Sequence, residues 1–292
     1  MHRSFSQIMH FRSGNWAAFR VLVTVLLVLV AAGCSSSKLA TSGTTLRVMT
    51  WNIHHGEGLD KKVDIDRIAK IILSARPDVV ALQEIDRDVE RSGKVDIITK
   101  LADLTDMTYA FGKTIDYQGG EYGNAFLTRF PILEERNLRY HPIRPGEQRG
   151  LLQLILGVRG EEIVIANTHL ESRSDDSARA LSVGELMITL RRFSPRPVVV
   201  CGDLNDQPDS RVIGELKNEY ADSWAVAGRG DGFTFPSDAP KKRIDYILVQ
   251  NNTKPDSASA AVKLHPLSAR VIQSSASDHL PLLVEFELRT ER

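Results

Sequence analysis

The chain has 292 residues, 42% of them hydrophobic and 25% charged, with Gly and Pro at ordinary levels, which excludes a collagen-like, low-complexity or disordered protein. Its 37 Lys and Arg balance 37 Asp and Glu, and setting aside the three arginines of the first 33 residues leaves 34 basic residues against 37 acidic. A protein that holds nucleic acid by neutralising many phosphates carries a basic excess or cluster; this chain has neither, so nucleic acid is a possible but not a favoured partner.

Residues 1–33 read as a secretion signal. Arg3, Arg12 and Arg20 stand without an acidic neighbour ahead of the apolar run Val21–Ala32, broken only by Thr24. That run is shorter than the ~20 residues of a comfortable membrane span. Small residues precede a cysteine in Val30-Ala31-Ala32-Gly33-Cys34. The segment resembles the lipobox of bacterial lipoproteins, which implies lipidation of Cys34 and a membrane partner through that anchor. Ser35 resembles the outer-membrane sorting choice, facing the periplasm, if the source is diderm. An ordinary signal peptide, or a buried helix with an incidental Cys, is the plainer alternative. Residues 34–45 are rich in Ser and Thr and fit a flexible tether, so one domain is expected over 46–292. Cys201 then remains as the second cysteine, inside Val198-Val199-Val200-Cys201, and reads as a small buried hydrophobe.

From Leu46 onward, short β-branched runs alternate with amphipathic segments. Strands are expected at Leu46–Ile53, Val79–Gln83, Asn124–Thr128, Leu151–Val158, Ile163–His169, Val198–Gly202, Ile244–Val249 and Leu282–Leu288. Helical spacing joins Ile65, Ile68, Ile72 and Ala75 before Pro77, and Leu181, Gly184 and Ile188 before Pro195. Val95–Leu104 and Asp209–Glu219 are further helix candidates. The mixture predicts an α/β or α+β sandwich in one domain.

Several apolar strands end abruptly in residues suited to metals or phosphates: Trp51-Asn52, Gln83-Glu84, Thr168-His169, Gly202-Asp203-Leu204-Asn205, and Asp278-His279 before the last strand. Rigid strand ends deliver such groups to a sheet rim, and five of them point to one site. Glu84, with Asn52 and Asp278, offers oxygen ligands that suit Mg²⁺ or Mn²⁺ better than zinc. Asp203 and Asn205 alternate and share a side, fit to orient or deprotonate a water, although Gly-Asp-Leu-Asn-Asp-Gln-Pro also reads as a turn. His279 is fit for proton transfer or for donation to a phosphoryl oxygen, with Asp245 orienting its ring. His169 and Arg149 supply further phosphate donors.

The ordered set Trp51-Asn52, Gln83-Glu84, Tyr122-Gly123-Asn124, Arg149, Thr168-His169, Gly202-Asp203-Leu204-Asn205, Arg243-Ile244-Asp245-Tyr246 and Ser277-Asp278-His279-Leu280-Pro281 resembles the endonuclease/exonuclease/phosphatase superfamily across Leu46 to Leu288. The resemblance implies a four-layer sandwich: two mixed β-sheets face to face, helices outside, and a metal-dependent site at the rim. It implies Glu84 as the principal Mg²⁺ ligand, Asn52 as a metal or phosphate contact and Asp278 as a carboxylate near the metal. Asp203 resembles the residue that activates water, Asn205 its positioning partner, and His279 with Asp245 the imidazole at the scissile phosphate. His169, Asn124 and Arg149 match phosphate-facing positions. One departure stands out, because abasic-site endonucleases carry an acid where this chain has His54, followed by His55. These two histidines line the pocket, bind a second metal, or are ordinary loop residues.

The favoured function is a divalent-metal-dependent phosphoric ester hydrolase, expected to be a phosphodiesterase and a monomer, acting in the cell envelope on a small or lipid-headgroup phosphoester. An exported nuclease is the alternative, with Lys241-Lys242-Arg243 and Arg191-Arg192 as its nearest basic stretches. A non-catalytic binding lipoprotein is the third reading. Trp224, Phe233 and Phe235 mark a Gly-rich loop that either contacts substrate or simply buries an aromatic.

Overall fold

Strands that are apolar on both faces need a cover on both, and four stacked layers provide it. The computed structural model describes residues 44–251 and 262–290; the signal segment, Cys34 and the tether as far as Gly43 lie outside the described residues. In chain order come β1 (Thr44–Asn52), α1 (Ile65–Ala75), β2 (Val79–Arg87), α2 (Ile97–Thr105), β3 (Thr108–Tyr117) and β4 (Gly120–Thr128). Then follow β5 (Ile132–Arg139), β6 (Gly150–Val158), β7 (Glu161–His169), α3 (Ser177–Arg191), β8 (Val198–Asp203) and α4 (Arg211–Lys217). The rest is β9 (Tyr220–Asp222), α5 (Ser223–Ala227), β10 (Asp245–Gln250), β11 (Val262–Val271) and β12 (Leu282–Thr290).

The strands form two six-stranded mixed sheets, ordered β11-β12-β1-β2-β4-β3 and β5-β6-β7-β8-β10-β9. β1 runs parallel to β2 and β7 parallel to β8, the other pairs being antiparallel. Alternate residues of each inner strand serve different layers. Val79, Ala81, Ile163, Ile165, Val199 and Cys201 pack between the sheets. Val80 and Leu82 face α1 and α2, where Ile65, Ile68, Ile72 and Ile98 meet them. Val164, Ala166, Val198 and Val200 face α3 and α4 through Leu186, Leu190 and Ile213. Each fully buried aliphatic side chain of this kind contributes ~1.5–3 kcal/mol.

Local chemistry sets the helix ends. Asp64 accepts from the Arg67 N–H at 2.9 Å, Asp96 from Thr99 at 3.2 Å and Ser210 from Ile213 at 3.2 Å, each satisfying a donor of a first helical turn. α1 stops at Arg76, in the left-handed region, just before Pro77.

All eight expected strands are present, but β2 continues past Gln83 to Arg87 and β4 starts at Gly120, four residues before Asn124. β1 starts two residues before Leu46. The unforeseen strands, β3, β5, β9 and β11, are the four sheet edges. The expected helices also form, but the face read for α3 is not its buried one: Leu181 and Ile188 are exposed, while Val183, Leu186 and Leu190 are buried.

Candidate active site

Register explains how distant residues meet. Asn52 at the end of β1 is level with Gln83 of its parallel neighbour β2, and His169 at the end of β7 is level with Asp203 at the end of β8. Antiparallel β10 begins opposite, pairing Asp245 with Asp203. His279 precedes β12, which enters against β1 at Thr50. Asn52, His169 and Asp203 therefore end their strands at one rim, His279 enters it ahead of β12, and Glu84 reaches it from within β2, which does not stop at Gln83 but continues to Arg87 past an irregularity in its pairing.

A buried acid–base cluster occupies one side of it. His279 Nδ1 is 2.9 Å from Asp245 Oδ2, and its Nε2 is 3.6 Å from Asp203 Oδ2. Burial disfavours a charged His279, but the nearby carboxylates of Asp245, Asp203 and Asp278 outweigh it and raise its pKa. Burial pushes the Asp203 carboxyl well above the usual carboxylate range, opposed by His279 and by hydrogen bonds from Asn52 and the Asn205 backbone. Asn205, itself at φ 51°, donates its backbone N–H to Asp203 Oδ1 at 2.9 Å. Its side-chain amide donates to the Leu170 carbonyl at 3.0 Å and lies 3.0 Å from His169 Nε2. His169 is buried, and burial with the charges of Arg149 and His279 lowers its pKa, so it stands neutral. Phe235 packs on the His279 ring at 4.7 Å between centroids.

The hinge of this cluster requires Gly202: a Cβ there would lie 1.9 Å from the Thr168 carbonyl oxygen, at a φ of +148°. The Ser277 hydroxyl lies 2.8 Å from the Asn52 carbonyl, to which it donates, and accepts from the His279 N–H at 3.1 Å, while Trp51 Nε1 donates to the His279 carbonyl at 3.0 Å. The segment before β12 is thereby tied to the end of β1.

Glu84 lies on the other side of the rim, at the irregularity in the β2–β4 pairing between Leu82 and Ile85 and at a φ of 61°. A non-glycine residue in that region stores strain of order 1–3 kcal/mol. Asn52 brackets the two sides, its Nδ2 lying 2.9 Å from Glu84 Oε1 and 3.1 Å from Asp203 Oδ2, while its Oδ1 accepts from the His54 N–H at 3.0 Å. His54 and His55 also have positive φ, at 47° and 44°. A nitrogen of each ring and a carboxylate oxygen of Glu84 lie within 4.8 Å of one another. Burial, then Arg91 and His54, lower the His55 pKa to about 4. Asp278 is outside this trio, its Oδ1 3.9 Å from His54 Nδ1.

Asn124 sits in β4 opposite the irregularity, its amide donating to the Gly150 carbonyl at 3.3 Å. Arg149 pairs with Glu147 at 2.8 Å and is close enough to His169 to help hold it neutral. Buried polar atoms around the rim that lack a hydrogen-bond partner among the described residues include His55 Nδ1, His169 Nδ1, Asp245 Oδ1 and Arg149 Nε. Unsatisfied buried polar atoms are costly in a native protein, and those here fit a site made to receive a charged ligand and a cation. The donor set, with Glu84 and Asp203 carboxylates beside imidazoles, suits a divalent ion.

Sequence reasoning missed the clamp beneath the irregularity. Asn167, fully buried in β7, donates to the Leu82 and Ala125 carbonyls at 2.8 and 2.9 Å and accepts from Gln83 Nε2 at 2.7 Å. It crosses from one sheet to the other just before Glu84. Its signal was an amide at an otherwise apolar strand position, between Ala166 and Thr168. Several other readings resolve simply. Trp224 lies in α5 and packs into the core, its Nε1 donating to the Gly230 carbonyl. Arg243 is buried, paired with Asp222 at 2.8 Å, and Arg191 pairs with Glu219, so neither basic stretch is wholly free to face solvent. Cys201 is buried and burial pushes its thiol pKa up.

Two face-to-face sheets with such a rim define a class of phosphoester-cleaving proteins. The chain belongs to the endonuclease/exonuclease/phosphatase family, whose profile matches residues 49–279. It is similar to the Escherichia coli K12 protein YbhP, 28% identical over 264 residues, covering 85% of this chain and 98% of YbhP. It is also similar to the 5'-tyrosyl-DNA phosphodiesterase of Caenorhabditis elegans, 29% identical over 226 residues, 71% of this chain and 58% of that one. Among solved structures, an endonuclease/exonuclease/phosphatase from Beutenbergia cavernae superposes with a TM-score of 0.68 at 26% identity, over 84% of this chain and 72% of that one. The human Nocturnin catalytic domain with bound sulfate superposes at 0.66 over 84% and 94% of the two chains; at 22% identity it shows the fold alone.

Proposed function

We propose that this protein is a divalent-cation-dependent phosphodiesterase of the bacterial cell envelope, lipid-anchored through Cys34 as a monomer and acting on a small or lipid-headgroup phosphoester. The observation that carries the reading is the placement of Asp203, Asn205, the His279–Asp245 pair and Glu84 at one rim, within a hydrolase family. The export and anchoring proposal rests on the sequence around Cys34 alone.

Glu84 would hold the cation, with Asn52 orienting it and Asp278 nearby. When bound, the ion draws charge off the phosphoryl oxygens. The chain supplies the remaining chemistry. Asp203, whose raised pKa brings it nearer to neutrality than a free carboxyl, takes a proton from the attacking water as the new O–P bond forms and the leaving-group O–P bond breaks. Asn205 fixes the Asp203 carboxylate through its backbone N–H and secures His169. His279, held protonated by Asp245, donates from Nε2 to a phosphoryl oxygen where negative charge grows. Asn124 and Arg149 would complete the phosphate cradle. The exported-nuclease reading draws support from the tyrosyl-DNA phosphodiesterase relative, but the burial of Arg243 takes away one end of its proposed basic groove.

The test compares hydrolysis of bis- and mono-(p-nitrophenyl) phosphate by the full chain with Mg²⁺, with Mn²⁺ and with EDTA. The proposal expects cation-dependent turnover with the diester preferred. Turnover that survives EDTA would remove the cation from the account, and a preference for the monoester would overturn the diesterase assignment.

A further inference from the structure

The trio His54, His55 and Glu84 has a chemistry different from an all-oxygen magnesium site. Its ligand atoms lie within 4.8 Å of one another. Two metal–ligand bonds of about 2.1 Å each span up to about 4.2 Å, so a contraction of about half an ångström closes all three on one ion. His55 is buried and its Nδ1 has no hydrogen-bond partner among the described residues. Its Nε2 is 3.8 Å from Glu57 Oε2, beyond hydrogen-bond reach, so neither ring nitrogen is engaged by a strong neighbour. His54 is likewise uncommitted, with its Nδ1 3.9 Å from Asp278. Both rings are presented from consecutive left-handed residues, and their planes meet edge to face at 4.5 Å between centroids.

We propose that His54 and His55 are metal ligands alongside Glu84, and that they tune this rim toward a transition-series divalent cation such as Mn²⁺ or Zn²⁺ in preference to Mg²⁺. Imidazole nitrogen binds first-row transition ions well, whereas Mg²⁺ takes oxygen and keeps its waters. The proposal rests on Glu84 as the cation-holding residue of the proposed hydrolase, and it assigns the two imidazoles a role beyond that reading.

The test is calorimetric titration of the metal-free full chain with MnCl₂, ZnCl₂ and MgCl₂, for wild type, His54→Asn and His55→Asn. Asparagine tolerates left-handed backbone and removes the imidazole. Each variant should weaken Mn²⁺ and Zn²⁺ binding roughly 10–100-fold, the scale of lost metal-site support, while leaving Mg²⁺ binding within about threefold. A second readout needs no variant to fold: pulsed electron paramagnetic resonance of the Mn²⁺-loaded wild type should show nitrogen coupling from imidazole. That coupling should diminish in whichever variant keeps its wild-type circular dichroism spectrum. Absence of nitrogen coupling in the wild type, or unchanged Mn²⁺ and Zn²⁺ affinity in a folded variant, would overturn the proposal. Failure of the hydrolase reading shows separately, as phosphoester turnover that does not depend on His279 with any ion.

Discussion

The two sides of the rim are built on opposite plans. Asp203, Asp245 and His279 are buried and bonded to one another or to adjacent backbone, so their positions are fixed before anything binds. Glu84, His54 and His55 hold left-handed backbone, and the two rings lack strong partners. Preorganised groups suit proton transfer and charge stabilisation, where reorganisation during reaction is costly; loosely satisfied donors suit a ligand that supplies the missing interactions. Asn52 joins the two plans by donating to Glu84 and Asp203 together.

Breaking the fixed side should have the largest effect. His279→Ala or Asp203→Asn should lower kcat/KM roughly 10²–10⁴-fold, read from phosphodiester hydrolysis with the melting temperature as a fold control. Asp245 acts through His279, so Asp245→Asn should cost less, roughly 10–100-fold. Its signature is the pH profile. Asp245 raises the pKa of both His279 and Asp203, so losing that charge should move both limbs of kcat/KM to lower pH, the acidic limb remaining above the ordinary carboxylate range because burial still raises Asp203. An unmoved basic limb would detach His279 from that limb.

The clamp between the sheets should sharpen the comparison through stability. Asn167→Ala removes two buried hydrogen bonds to the Leu82 and Ala125 carbonyls and should lower unfolding free energy by about 2 kcal/mol, measured by urea denaturation. Turnover should fall several-fold as Glu84 loses its support. The smallest effect belongs to the outer face of α3: Ile188→Ala should change stability by less than about 0.5 kcal/mol, against about 2–5 kcal/mol for Leu186→Ala.

That last pair marks a limit of sequence reading. The spacing of Leu181, Gly184 and Ile188 is genuinely helical, yet the buried face also carries Arg179 and Ser182, polar residues that hydropathy places outside. Arg179 is buried because its guanidinium lies 3.0 Å from Asp206 and reaches the Glu171 carbonyl at 2.9 Å. Strands divide in the same way. Inner strands such as β2 and β8 open with continuous apolar runs, Val79–Leu82 and Val198–Cys201, because both faces are covered there. Edge strands carry charge or proline, as in Glu134-Glu135-Arg136 of β5 and Pro266 of β11, where pairing has one open side. The rim residues were legible because polar groups interrupt apolar strands there. For His54 and His55 the sequence left pocket lining, metal binding and an ordinary loop open, because their spacing to Glu84 depends on how the chain folds, and the clamp made by Asn167 was not legible because it depends on contacts across the two sheets that no local pattern encodes.

His279 is the residue on which hydrolysis at this rim should depend most. Diester hydrolysis by the full-length wild type and His279→Ala should be measured side by side, at saturating divalent cation and matched melting temperatures. A fall in kcat/KM of roughly 10²–10⁴ is the predicted result. Near wild-type turnover in a folded His279→Ala protein would contradict the assignment of the chemistry to this rim.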